Sequence, residues 1–162
     1  MQQFIITTAQ IKEATEISNI LNEVLDEDQH QLFNFKNKIN IKEQEDYIRY
    51  INNKKGSVFL VASIENKIIG FLDFISDEKN DFGTMGIIIQ KAYRQNGIAF
   101  KLLSELLKRK TVTTINTEVL ATNQPMIHFL QKNNFVLNTT FNKTVDFNNQ
   151  KLSVLLMARE TV

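Results

Sequence analysis

The chain has no cysteine, only two histidines and almost no net charge. Without cysteine there is no disulfide framework, no thiolate nucleophile and no thiolate metal site. His30 and His128 stand far apart in the sequence, a poor start for zinc, and no metal is expected. Nineteen basic against eighteen acidic side chains leave a formal charge of +1, so no global field draws the chain to nucleic acid or to an anionic membrane. No apolar run approaches the roughly 18 residues of a membrane span. The start Met1-Gln2-Gln3-Phe4-Ile5-Ile6 lacks the basic region of a signal peptide. The expected location is the cytoplasm, with neither membrane nor nucleic acid as a partner.

What is present fits one globular domain over residues 1–162, with 43% apolar and 23% charged side chains, enough to bury a core. Phe4 to Thr8 reads as a strand, and Ile11, Ala14, Ile17, Ser18, Leu21, Val24 and Leu25 recur at helical spacing. From Asp26 to Asn40 the periodicity dissolves around Leu32, Phe33 and Phe35, in a segment long enough to serve as a functional wall. A second helix carries Tyr47, Ile48 and Ile51 and stops at Gly56. Val58 to Ile64 and Lys67 to Ile75 form a hairpin turning at Glu65-Asn66, and after a polar loop over Ser76 to Asp81 a strand runs from Phe82 to Ile89. Ile98, Ala99, Leu102, Leu103, Leu106 and Leu107 mark the clearest helix, closed by Lys108-Arg109-Lys110, whose charges suit a helix C-terminus. Thr114 to Ala121 is a strand, Pro125 to Lys132 a short helix, and Phe135 to Asp146 with Leu152 to Ala158 a final hairpin. This order is neither alternating nor purely β, and it predicts a mixed sheet with helices on both faces.

Chemistry concentrates at Gly86-Ile87-Ile88-Ile89-Gln90-Lys91-Ala92-Tyr93-Arg94-Gln95-Asn96-Gly97-Ile98-Ala99: a strand, a polar turn and a helix start. Gly97 and Ala99 leave little side chain where the helix begins, so a bulky anion can approach unpaired backbone N–H groups. Those amides and the helix dipole favour a pyrophosphate. Arg94 and Gln95, just upstream, add a charge-assisted and a neutral donor.

These residues resemble the GCN5-related N-acetyltransferase family, whose turn after the fourth strand runs Arg/Gln-x-x-Gly-x-Gly/Ala; Arg94, Gly97 and Ala99 fit it. The likeness extends to Ile87-Ile88-Ile89 before the turn. It continues through Glu118-Val119-Leu120-Ala121-Thr122-Asn123 and the helix up to Phe135, roughly the second half of the chain. It implies an α/β fold: a mixed, largely antiparallel twisted sheet of about seven strands, with parallel strands 4 and 5 splayed apart. Acetyl-CoA is the implied co-substrate, its pantetheine pairing with backbone at Ile87, Ile88 and Ile89. Its pyrophosphate is implied to meet amides of Gln95, Asn96, Gly97, Ile98, Ala99 and Phe100, and its arm to bond Asn123. The same Asn123 also suits a plain helix cap before Pro125.

By the same resemblance Glu118 is the general base, occupying a strand position that carries a glutamate in some ribosomal-protein acetyltransferases. It would take a proton from an ammonium acceptor so that the neutral amine can attack the thioester. Asp73, flanked by Leu72 and Phe74, is a second candidate and Tyr93 a third. A backbone N–H near Ile89 is the implied oxyanion donor. Asp26, Glu27 and Asp28 lie where the family builds its acceptor site, though an acidic run also reads as a solvated face. Two departures stand out. Asn134 replaces a helix-ending glycine, which Asn tolerates. Leu130 replaces a tyrosine that in many members protonates the leaving thiolate. His128 lies two residues away, about 200° round a helix, and faces elsewhere.

The expected function is direct N-acetyl transfer from acetyl-CoA to an amine, a small molecule or a protein amino group, with a homodimer allowed by the family. The alternative is an idle acyl-CoA-binding protein on the same fold, which Leu130 makes credible. A dinucleotide-binding domain is disfavoured because two of its three glycines are missing and Glu118 lies inside its strand. Neither a G-x-S-x-G nucleophile elbow nor a P-loop pattern occurs. The basic cluster Leu106 to Lys110 is too small for a nucleic-acid surface.

Overall fold

A computed structural model describes residues 3–79, 81–109 and 112–161. Met1, Gln2 and Lys110, which entered the reading of the two chain segments above, lie outside them. The chain runs β1 (Ile5–Thr8), α1 (Ala14–Leu25), α2 (Ile41–Asn53), β2 (Val58–Ile64), β3 (Lys67–Ser76), β4 (Phe82–Ile89), α3 (Ile98–Lys108), β5 (Thr114–Leu120), α4 (Gln124–Lys132), β6 (Val136–Leu137), β7 (Lys143–Phe147) and β8 (Gln150–Glu160). The strands form one sheet in the order β1-β2-β3-β4-β5-β8, with β6 and β7 both pairing with β8. Every pairing is antiparallel except β4 with β5.

Local chemistry explains the turns. The β2–β3 hairpin turns through Glu65 (φ 48°) and Asn66 (φ 65°), two successive left-handed residues that match strand twist without a glycine. Asn40 opens α2 as a reciprocal cap: its Oδ1 accepts from Glu43 N at 2.9 Å while Glu43 Oε2 accepts from Asn40 N at 3.0 Å. Asn134 takes the left-handed conformation (φ 64°) that ends α4.

Strand alternation sorts the core into two layers. Leu60, Leu72, Phe74, Met85, Ile115 and Val119 face α3 and α4, packing on Leu102, Leu103, Leu106 and Leu130. Phe59, Val61 and Phe71 face α1 and α2, packing on Ile17, Leu21, Ile48 and Ile51. The expected final hairpin needs correction. The arm from Phe135 to Asp146 is two strands, because Asn138 Oδ1 accepts both N–H (3.0 Å) and O–H (2.8 Å) of Thr140 and folds the chain into a local turn between β6 and β7.

Candidate active site

The parallel pair that centres the sheet is short. Phe82, Gly83 and Thr84 pair with Thr114, Ile115 and Asn116, and there the ladder stops. At the next step Thr117, 2% exposed, donates its hydroxyl to the Met85 carbonyl at 2.9 Å, a side chain standing in for a lost backbone bond. Beyond it the strands diverge, and on that side Gly86 to Ile89 have no strand partner, although β3 pairs with them on the other. A cavity of about 470 Å³ opens there, reaching Ile87, Ile88, Glu118, Val119, Asn123 and Met126.

At the far end of β4 the chain makes a 3-10 turn over Lys91–Tyr93 and enters α3 through Gly97, whose φ of 77° favours glycine. A Cβ at Gly97 would meet nothing within 4 Å, so the space before the helix is open. Lys101 N is the first helical amide to reach a backbone acceptor, Gly97 O at 3.1 Å, leaving those of Ile98, Ala99 and Phe100 for a ligand. Gln95 is also left-handed, at φ 62°. The residues present fit a pyrophosphate.

Arg94 is placed differently from its expected part. Its guanidinium forms a bidentate pair with Glu27 (2.9 and 2.7 Å), and its Nε donates to Ile89 O at 2.9 Å. It thereby fastens the turn to the segment 26–40 that covers the cleft. Two of the acids considered for the acceptor are also engaged, Glu27 with Arg94 and Asp26 with Lys38. Asn123 accepts from Met126 N at 3.3 Å as the cap of α4 and also borders the cavity. Asn96 bonds the Tyr93 and Arg94 carbonyls and shapes the turn.

Two carboxylates line the cavity. Glu118 Oε2 accepts from Lys143 Nζ at 2.8 Å, and that ammonium lies 5.9 Å from the centre of the Phe33 ring. Asp73 Oδ2 accepts from the Tyr47 hydroxyl at 2.5 Å. Burial raises the Asp73 carboxyl above its ordinary range, with the Tyr47 bond acting the other way. Burial, then the Asp73 charge, pushes the Tyr47 phenol far up, so Tyr47 stays protonated as a donor. Tyr93 packs against the α3-side core. Leu130 is sealed in that core at 0% exposure, while His128 on the same helix is exposed to solvent.

A model of the family described as Acetyltransferase (GNAT) family matches residues 21–135. The chain belongs to that family. No curated protein matches it. Among solved structures it is similar to an N-acetyltransferase from Staphylococcus aureus Mu50, with TM-score 0.85, 19% identity and 99% of each chain covered. It is also similar to a ribosomal-protein-alanine N-acetyltransferase from Brucella melitensis, with TM-score 0.85, 16% identity, and 96% of this chain and 99% of that one covered. A third is a phosphinothricin acetyltransferase from Sinorhizobium meliloti in complex with AcCoA, with TM-score 0.82, 20% identity, and 97% of this chain and 88% of that one covered. At these identities the likeness shows the fold.

This GNAT member carries two further cavity residues that sequence reasoning passed over. Gln44 is 3% exposed yet borders the cavity, and the helical spacing 44, 47, 48, 51 was the signal that put it on the buried face of α2. Gly86 lies directly opposite Asp73 in the β3–β4 register, and a Cβ there would come within 2.7 Å of Asp73 Oδ1. A glycine inside a strand marks such a close approach.

The raised Asp73 carboxyl has a consequence for stability. A carboxyl whose folded pKa lies above its unfolded value is held ionised at a cost, at neutral pH and above, and the cost disappears as pH falls through the folded value. Asp73→Asn keeps an acceptor for Tyr47 and lacks the charge. It is therefore expected to melt at a higher temperature than wild type at pH 7.5, the difference narrowing as the buffer is acidified. Equal melting temperatures across that range would contradict the burial effect.

Proposed function

We propose that this GNAT protein transfers the acetyl group of acetyl-CoA directly to an amine, in the cytoplasm and without a metal. The observation that carries the reading is the break in the β4–β5 ladder, which opens onto an anion cradle at one end and a carboxylate-lined cavity beside it. Supporting it are the family membership and the Sinorhizobium relative solved with AcCoA. In this reading the side of Ile87 to Ile89 that β5 has left pairs with the pantetheine arm, sharing Ile89 O with Arg94, and the amides of Ile98, Ala99 and Phe100 bind the pyrophosphate. Asn123 borders the arm, and Arg94, Gln95 and Asn96 hold the turn in shape. Acetyl-CoA supplies an activated acyl carbon.

Glu118 is the proposed base. Lys143 engages only Oε2, which fixes the carboxylate and leaves Oε1 for the acceptor. As the amine nitrogen bonds the acyl carbon, the carbon–sulfur pair leaves on sulfur and the nitrogen's proton passes to Glu118, directly or through a water. Leu130 can donate no proton, so CoA leaves as the thiolate, tolerable for a thiol of ordinary pKa near 8.5. An idle acyl-CoA binder is the competing reading, and the sealed Leu130 is what favours it.

Calorimetric titration of acetyl-CoA into the protein, followed by thiol release across a panel of amines, separates the two. Micromolar binding with amine-dependent release supports the transferase. Binding with no release from any amine points to the idle protein, and no binding removes the acetyl-CoA assignment. The chain has no cysteine to react with the thiol reagent, so the background is clean.

A further inference from the structure

The acceptor half of the cavity combines features that the transfer reaction alone does not require. Asp73 on β3 stands opposite Gly86 on β4, and Glu118, on the part of β5 that has left β4, lines the same cavity. Alternation puts both acids on the α1–α2 face. Phe71 and Ile88, each two residues from Asp73 or Gly86, pack in that layer, whereas Val119, next to Glu118, packs in the opposite one. The cavity is thus lined by two carboxylates, with Gly86 beneath Asp73. Paired strands would hold the Asp73 and Glu118 Cα atoms roughly 10 Å apart, and the divergence of β5 from β4 widens the gap beyond that.

The two acids are not equivalent. Glu118 is balanced by Lys143, whereas no cation among the described residues pairs with Asp73. Tyr47 occupies Oδ2, and Oδ1 overlies the bare Cα of Gly86. Beside them stands Gln44, its side-chain amide without a hydrogen-bond partner among the described residues although the residue is 3% exposed. An unpartnered amide and a carboxylate without a cation, both lining one cavity, suit a ligand that donates hydrogen bonds and carries positive charge. Leu32, Phe33, Phe35 and Ile39 roof the same space and favour an apolar body between polar ends.

We propose that the acceptor is a short unbranched α,ω-diamine, one ammonium anchored by Asp73 and Gln44 while the other nitrogen, delivered to Glu118, receives the acetyl group. The inference rests on the transferase reading with Glu118 as base. An unbranched chain with an amine at each end lets one molecule meet both carboxylates of the cavity, the width of the splay setting its length. In the transfer the reacting nitrogen, arriving as the neutral amine, loses one proton to Glu118 and gains the acyl carbon, and CoA leaves as the thiolate with the electron pair of the broken bond. The anchored ammonium is unchanged, so the product is a monoacetylated diamine that still carries one positive charge.

The test compares thiol release from saturating acetyl-CoA with 1,4-diaminobutane, 1,5-diaminopentane, butylamine, pentylamine and an alanine-terminated peptide. The diamines are expected to exceed the monoamines of equal length in kcat/KM on the order of 100-fold, the scale for losing one partner of a buried charge pair. Asp73→Asn should erase that preference by raising KM for diamines toward that for the monoamines. Gly86→Ala, which crowds Oδ1 without touching its charge, should raise KM in the same way. Diamines and monoamines used equally well, or a preference that survives Asp73→Asn, would overturn the inference and leave the transferase standing. Acetyl-CoA bound but no thiol released from any amine would instead sink the transferase reading, and the inference with it.

Discussion

Gly97→Glu is expected to abolish acetyl-CoA binding, with at least a ~100-fold loss by calorimetry, equivalent to about 2.7 kcal/mol. The position concentrates what the cofactor needs: a left-handed backbone at φ 77°, open space where a side chain would stand, and the unpaired amides of the first turn of α3. A glutamate side chain would fill that space, set a carboxylate against the pyrophosphate and offer the helix start a competing anion. A non-glycine residue at a left-handed position also costs about 1–2 kcal/mol of folding energy. Gly97→Asn separates the two effects, since Asn tolerates the conformation and is neutral. It should fold and keep most of its affinity. Gly97→Glu binding within about threefold of wild type would mean that the phosphates lie elsewhere.

Glu118→Gln is expected to lower kcat by about 10²–10⁴, the usual contribution of a positioned general base, with acetyl-CoA affinity unchanged. Glutamine keeps the shape and can still accept from Lys143, so the substitution removes proton affinity and little else. The geometry motivates the assignment: Glu118 stands where β5 has left β4, on the wall of the opening. If kcat is unchanged, Glu118 takes no part in the chemistry, and Asp73, over Gly86, becomes the base to test.

The elements that could be read from the sequence are those whose partners are close along it. The bounds of β4 and the start of α3 follow from an apolar run, a polar turn and Gly97. The hairpin at Glu65-Asn66 follows from two strand-like runs with two residues between them. The cradle was legible because its chemistry lies in the backbone of consecutive residues. The acceptor side was not, because its contacts join residues far apart: Tyr47 to Asp73, Lys143 to Glu118, and Gln31 to Thr122, whose side chains bond at 2.7 Å. The segment 26–40 showed no periodicity because it is no regular element. Side-chain bonds hold it in place, among them both polar groups of Ile39 on Asn22 (2.8 and 2.9 Å) and Arg94 on Glu27. The split between β6 and β7 was equally hidden, since Asn138 breaks a stretch whose flanks both suit a strand.

The short β4–β5 ladder also divides the molecule. β1 to β4 lie on one side and β5 to β8 on the other, and among the described residues three residue pairs, the Thr117 hydroxyl and the Asp81 carbonyl, which accepts from Thr113 N and Thr114 N, stitch the two strands at the seam together. Seams of so few backbone bonds are where native proteins open first, as separate cooperative units. In the proposed reading a pantetheine arm laid along Ile87 to Ile89 would close that seam as a clasp closes a hinge. The donor of the acyl group would then also be a temporary part of the architecture, and each departure of CoA would leave the two sides of the sheet more loosely joined.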